Sequence, residues 1–86
     1  MKRTQFTHNG RDFEVRATPL DNEVKVRLFE GDKPASPIVY SVSIETAFDA
    51  RMRGFALDLV DELMHLMEHD TKAGRLRLYP SAGPQP

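Results

Sequence analysis

The sequence predicts a two-layer α+β fold, in which a four-stranded antiparallel meander is followed by one long C-terminal helix packed on one face. Residues 1–44 alternate apolar and polar side chains, as half-buried strands do, and short turn-forming segments interrupt the alternation. From Thr46 to about Lys72 the apolar residues recur at helical spacing instead. Because the chain has only 86 residues, one domain is predicted over 1–79, followed by a disordered Pro/Gly-rich tail over 80–86.

The first hairpin is predicted by the dipeptide Asn9-Gly10, which lies between two alternating segments. Both residues accept the positive φ angles that a two-residue type I′ turn requires. Such a turn places Phe6 opposite Phe13, so both rings share the face of the sheet that is buried.

The third and fourth strands follow from two further breaks in the alternation. A loop over 19–22 leads to a strand over 23–30, and placing Ala17 opposite Val24 keeps the apolar side chains on one face. A turn over 31–36 leads to the fourth strand. Its predicted inward side chains are Ile38, Tyr40, Val42 and Ile44.

The predicted helix begins at Thr46, because residues 46–49 have the Ser/Thr-x-x-acid form of a capping box, and it ends before Gly74. Its two apolar stripes cover about 200° of the helix, whereas a helix on one sheet needs little more than 100°. The stripe assigned to the sheet contains Phe48, Met52, Phe55, Leu59, Leu63 and Leu66. The segment over 75–79 alternates like a short fifth strand.

The excess apolar arc predicts that a further surface covers the second stripe. That stripe has the spacing of a helix-pairing seam, so the favoured hypothesis is a homodimer joined by the outer face of the helix. The predicted interface contains Leu57, Val60, Met64 and Met67. Two alternatives remain open: Leu76, Leu78 and Tyr79 fold back over the stripe within one chain, or a different protein partner covers it.

The other face of the sheet is predicted to carry basic residues. With these registers Arg3, Arg16 and Lys25 line up across three strands, and Arg27 lies in the next row near Phe29. Like charges in opposed positions repel, so the row suits an approaching anion or single-stranded nucleic acid. An ordinary solvated sheet face is the simpler interpretation.

Metal and catalytic sites are not predicted. His65 and His69 are one turn apart and Glu62 precedes them, but ligands from one helix alone leave an ion exposed to water. The chain has no cysteine, nucleophile elbow or glycine-rich phosphate loop. No cofactor is therefore expected.

Composition predicts a cytoplasmic protein without a membrane span. The 12 Lys and Arg nearly balance the 13 Asp and Glu, so bulk charge does not indicate nucleic acid. The basic start, residues 1–6, lacks the apolar run of a secretory signal. The predicted function is therefore that of a small non-enzymatic binding protein that self-associates, with anion or nucleic-acid binding as the alternative.

Overall fold

The fold is a four-stranded antiparallel sheet followed by helices, one of which packs across a face of the sheet. The structure, a computed structural model, describes residues 2–52 and 58–80. The strands lie side by side in the order in which they occur in the sequence. The predicted α+β meander with a C-terminal helix is thus confirmed. The elements are β1 (Lys2–His8), β2 (Arg11–Leu20), β3 (Glu23–Glu30), β4 (Lys33–Ser43), α1 (Ile44–Met52) and α2 (Leu59–Lys72).

The connection between β1 and β2 is the predicted two-residue turn. Asn9 and Gly10 have φ angles of 53° and 76°, in the left-handed region that a type I′ turn requires. Phe6 pairs with Phe13, and their ring centroids are 5.4 Å apart on the face covered by α2. The first hairpin is therefore confirmed in both turn and register.

A second tight turn joins β2 to β3, and it changes the predicted register. Asp21 and Asn22 have φ angles of 52° and 64°, so two residues make the turn where a four-residue loop was predicted. Ala17 consequently pairs with Val26, two residues further along β3 than Val24. Because side chains alternate with a period of two, this shift leaves every side chain on its predicted face.

An irregularity divides β4 into two halves. Arg27 pairs with Val39 and Phe29 pairs with Pro34, so residues 35–38 form a bulge opposite a single residue of β3. The inward positions of Tyr40 and Val42 agree with the predicted pattern, since both are half-buried. Two other predicted inward side chains are exposed: Ile38 lies in the bulge, and Ile44 belongs to α1.

Two helices replace the single long helix that was predicted. Ser43 caps α1, because its hydroxyl accepts a hydrogen bond from the N–H of Thr46 at 3.0 Å; Thr46 is therefore not the cap. Asp58 caps α2, and its carboxylate accepts bonds from the N–H groups of Val60 and Asp61 at 2.9 and 3.3 Å. The extended backbone of Asp58 (φ −90°, ψ 110°) ends any continuous helix at this point.

The C-terminal segment lies against the bulged half of β4 without forming the fifth strand that was predicted over 75–79. The N–H of Tyr79 donates to the carbonyl of Ala35 at 2.7 Å, and the hydroxyl of Ser36 donates to the carbonyl of Arg77. The predicted disordered tail lies outside the described residues from 81 onward.

The core fills the space between the sheet and α2. Phe48 and Phe55 were both assigned to it, but Phe48 is 59% exposed and Phe55 lies outside the described residues. Leu78 packs against the core, whereas Tyr79 is largely exposed. The buried apolar side chains are Phe13, Val15, Ala17, Val26, Leu28, Ala35, Met64, Met67 and Leu76.

Candidate self-association surface

The second apolar stripe packs on the sheet and is not an outer seam. Met64 and Met67 are only 2% and 0% exposed, and Val60 is partly buried beside them. Leu57, the fourth residue of the predicted interface, lies outside the described residues. The chain's own sheet therefore covers the two methionines, and the predicted interface is corrected: they belong to the core and are inaccessible to a second copy.

The break at Asp58 explains why the stripes were assigned the wrong way round. A stripe that runs through α1 and α2 keeps its phase only if the helix is continuous, and it is not. Within α2 alone, Val60, Met64, Met67 and Thr71 recur at steps of four, three and four, which is the spacing of a face that lies on a sheet.

The leucines that were assigned to the core form the flank of α2 beside β4. Leu66 is 45% exposed, and Leu59 and Leu63 are half-buried. Together with Ser41, Val42 and Glu62 they line a shallow, mainly apolar groove of about 310 Å³. The sequence showed these leucines as one stripe. Which side of α2 faces the sheet, and therefore how exposed the leucines are, depends on where the helix breaks.

The outer edge of β4 differs between its two halves. The first half contains Pro34 and Pro37, which lack an N–H, and the segment over 76–79 lies along it. Within the part of the chain that the structure describes, no backbone group pairs with the outer side of residues 39–43. This second half, Val-Tyr-Ser-Val-Ser, carries no charge. Sequence analysis missed the open edge, although the run of uncharged residues was visible.

A partly buried polar contact fixes the helix beside this edge. The hydroxyl of Tyr40 donates to the carboxylate of Asp70 at 2.6 Å and so joins β4 to the last turns of α2. Burial, and then this hydrogen bond, raises the pKa of Tyr40 to about 12. This directed bond therefore fixes the position of α2 relative to β4.

At the opposite edge of the sheet, a lysine joins β1 to the start of α2. The ammonium of Lys2 lies 2.7 Å from a carboxylate oxygen of Asp58 and 2.9 Å from one of Asp61. These contacts raise the pKa of Lys2, chiefly through the hydrogen bond to Asp58. The charged edge and the uncharged edge thus lie on opposite sides of the same helix.

The corrected β2–β3 register changes the basic row on the open face. Arg16 pairs with Arg3 on one side and with Arg27 on the other, so three arginines occupy opposed positions. Lys25 lies in a different row and forms an ion pair with Glu23 at 2.6 Å. The predicted basic face exists, but its central row contains arginine alone.

The histidines of α2 lie on its outer surface. His65 and His69 are both exposed, and across 2–52 and 58–80 no three potential metal ligands lie together.

No protein-family model matches the chain, and no curated protein or solved structure matches it significantly. Of the helices described, neither is long and apolar enough to cross a membrane.

Proposed function

We propose that this protein is a small binding protein that associates with a second copy of itself. The contact surface, termed the β4–α2 edge, consists of residues 39–43 together with Leu59, Leu63 and Leu66. The observation that carries the proposal is their adjacency: an uncharged, unpaired length of edge strand lies directly beside one exposed and two half-buried leucines. An edge strand of this kind is a template for pairing with another chain.

A two-fold axis beside β4 would give the edge strand a backbone partner and the leucines an apolar surface to pack against. Antiparallel pairing of residues 39–43 with the same residues of a second copy would satisfy their outward N–H and C=O groups and continue the sheet across the axis. The leucine flanks of the two α2 helices would then face each other over the joined strands.

Charge complementarity supports the antiparallel arrangement. Glu62, in the first turn of α2, lines the groove, and the exposed His69 lies in the last turn. The other charged residues of these turns, Asp61 and Lys72, are engaged by Lys2 and by Glu68. A two-fold axis sets the acidic start of one helix beside the basic end of the other. The two helix dipoles oppose each other in the same arrangement, which is favourable.

The size of the edge predicts weak association. The 14 residues of α2 extend about 21 Å, and five strand residues extend about 17 Å. Over two layers with a combined depth of about 20 Å, the footprint is about 400 Å² per copy, half the area typical of a stable interface. The expected dissociation constant is therefore on the order of micromolar.

Sedimentation equilibrium over a hundredfold range of protein concentration tests the proposal. We expect a monomer–dimer equilibrium, and we expect Leu66→Glu to remain folded but monomeric, because it places a charge in the contact. Leu20→Glu is the matched control: Leu20 is 47% exposed, close to the 45% of Leu66, but it lies at the end of β2. A wild-type protein that stays monomeric at every concentration contradicts the proposal, as does a dimer that survives Leu66→Glu.

A different protein that adds a strand to β4 would use the same surface. That partner is favoured only if the wild-type chain is monomeric throughout. Action in the cytoplasm stays a prediction from the sequence.

A further inference from the structure

The open face of the sheet concentrates positive charge in one row. Arg3, Arg16 and Arg27 occupy directly opposed positions on β1, β2 and β3. Like charges in opposed positions destabilise a sheet unless other groups offset them. What the row can bind therefore depends on which arginines already have an ion-pair or hydrogen-bond partner.

Arg16, in the centre, is fully engaged. Its guanidinium forms an ion pair with Glu14, donates to the carbonyl of Gly31 at 3.0 Å, and lies 4.1 Å from the centroid of the Phe29 ring. Asp32 adds a longer contact at 3.6 Å. All these groups lie toward the C-terminal end of β3, so the guanidinium points away from its own row.

Arg3 and Arg27 lie on either side of Arg16 in the row. Both are exposed, and within residues 2–52 and 58–80 neither forms a hydrogen bond or an ion pair. The nearby acids are already engaged: Glu23 pairs with Lys25, and Glu14 pairs with Arg16. The pKa of Glu14 is lowered chiefly by its hydrogen bond from Arg16, and Arg3 is the smallest contributor.

We infer that the open face binds a phosphate group between Arg3 and Arg27. The two strands are about 10 Å apart, a span that two long side chains can close on one ligand. A guanidinium presents a planar pair of N–H donors that matches two oxygens of a phosphate, and such charge-assisted bonds are strong. Bound phosphate would also offset the repulsion within the row.

The contacts of Phe29 distinguish this site from a nucleic-acid site in which an aromatic ring stacks on a base. Sequence reasoning paired the basic row with an outward aromatic ring, as in modules that bind single strands. Here the guanidinium of Arg16 covers that ring. The ligand is therefore recognised by its phosphate, whether this is a terminal group or part of a phosphodiester chain.

Titration with inorganic pyrophosphate at constant ionic strength, followed through the arginine Nε–Hε NMR signals, tests the inference. We expect saturable shifts at Arg3 and Arg27, with a dissociation constant of about 1 mM. A parallel titration with a short oligothymidylate distinguishes the source. Tighter binding than pyrophosphate indicates a phosphodiester backbone, and binding of pyrophosphate alone indicates a terminal phosphate.

Matched variants separate a site from general attraction. Arg27→Gln is expected to weaken binding about tenfold, whereas Lys25→Gln, on the same face, is expected to retain it. Equal weakening by both variants, or shifts that never saturate, would overturn the inference. Leu66→Glu is expected to bind pyrophosphate normally, so the outcome does not depend on self-association.

Discussion

The two edges of the sheet are built differently. β1 begins with Lys2 and Arg3, and Lys2 is held by the carboxylates at the start of α2. The second half of β4 carries no charge and has leucines beside it. Charge on an edge strand opposes pairing with another chain, and an uncharged edge permits it. The contrast indicates that the charged start of β1 opposes pairing with another chain, and it supports the proposed contact surface on β4.

The same contrast recurs within β4. Its first half has two prolines, a bulge and the C-terminal segment along its outer side. Its second half has none of these features in the described structure. The outer side of β4 is therefore covered along its first half only. The uncovered half lies beside the groove lined by α2.

The largest expected effect separates the two sides of α2. Met67→Ala should lower the free energy of unfolding by about 2–5 kcal/mol, because it leaves a cavity where a fully buried side chain was. The neighbouring Leu66→Ala should cost about 0.5 kcal/mol or less, because Leu66 is largely exposed. Urea denaturation of both variants measures the difference. Similar losses would mean that the stripes are not divided between core and surface as described.

The next effect tests whether charge protects an edge. Ser41→Glu places a carboxylate in the open half of β4, opposite Lys25, so folding should be unaffected. Self-association should weaken at least about tenfold, because each copy would bring a like charge to the joined strands. The control is Thr4→Glu, an exposed position on β1. Sedimentation equilibrium should show weakening for the first variant alone, and equal weakening by both would contradict the proposed use of β4.

The smallest effect concerns the bond that fixes α2 beside the open edge. Tyr40→Phe removes the hydrogen bond to Asp70 and should cost about 1 kcal/mol at neutral pH. The folded-state pKa of Tyr40 is raised to about 12, above the value of about 10 in an unfolded chain. Its stabilising contribution is therefore complete below about pH 10 and is lost as the pH rises to about 12. Denaturation of both proteins across this range should show the difference shrinking, and a constant difference would contradict the assignment.

The sequence predicts features that depend on adjacent residues better than it predicts the phase of the helical stripes or the register between strands. The turn at Asn9-Gly10 depends on two adjacent residues, and it was predicted correctly. The β2–β3 register depends on whether Asp21 and Asn22 alone make the turn, and the preceding Pro19 favoured a longer loop. The opposed row of arginines appears only once this register is known.

The helical region shows the same limit. Apolar periodicity continues across Asp58, so it predicted one helix and set both stripes from that single phase. The start of α2 did have a signal: Asp58 with Asp61 three residues later resembles a helix cap followed by an acidic first turn. The open edge of β4, in contrast, depends on where the bulge and the C-terminal segment lie, which are tertiary features.

The charged β1 edge also limits how far association can proceed. A polymer chemist would count the reactive ends of this monomer: in the proposed dimer β4 is the end that joins, and the charges of Lys2 and Arg3 oppose pairing at the start of β1. Two copies joined through β4 as proposed would present only β1 outward, and its charged start would oppose further growth. Neutral side chains in place of Lys2 and Arg3 would give the monomer a second reactive end, and the same contact would then propagate into fibres.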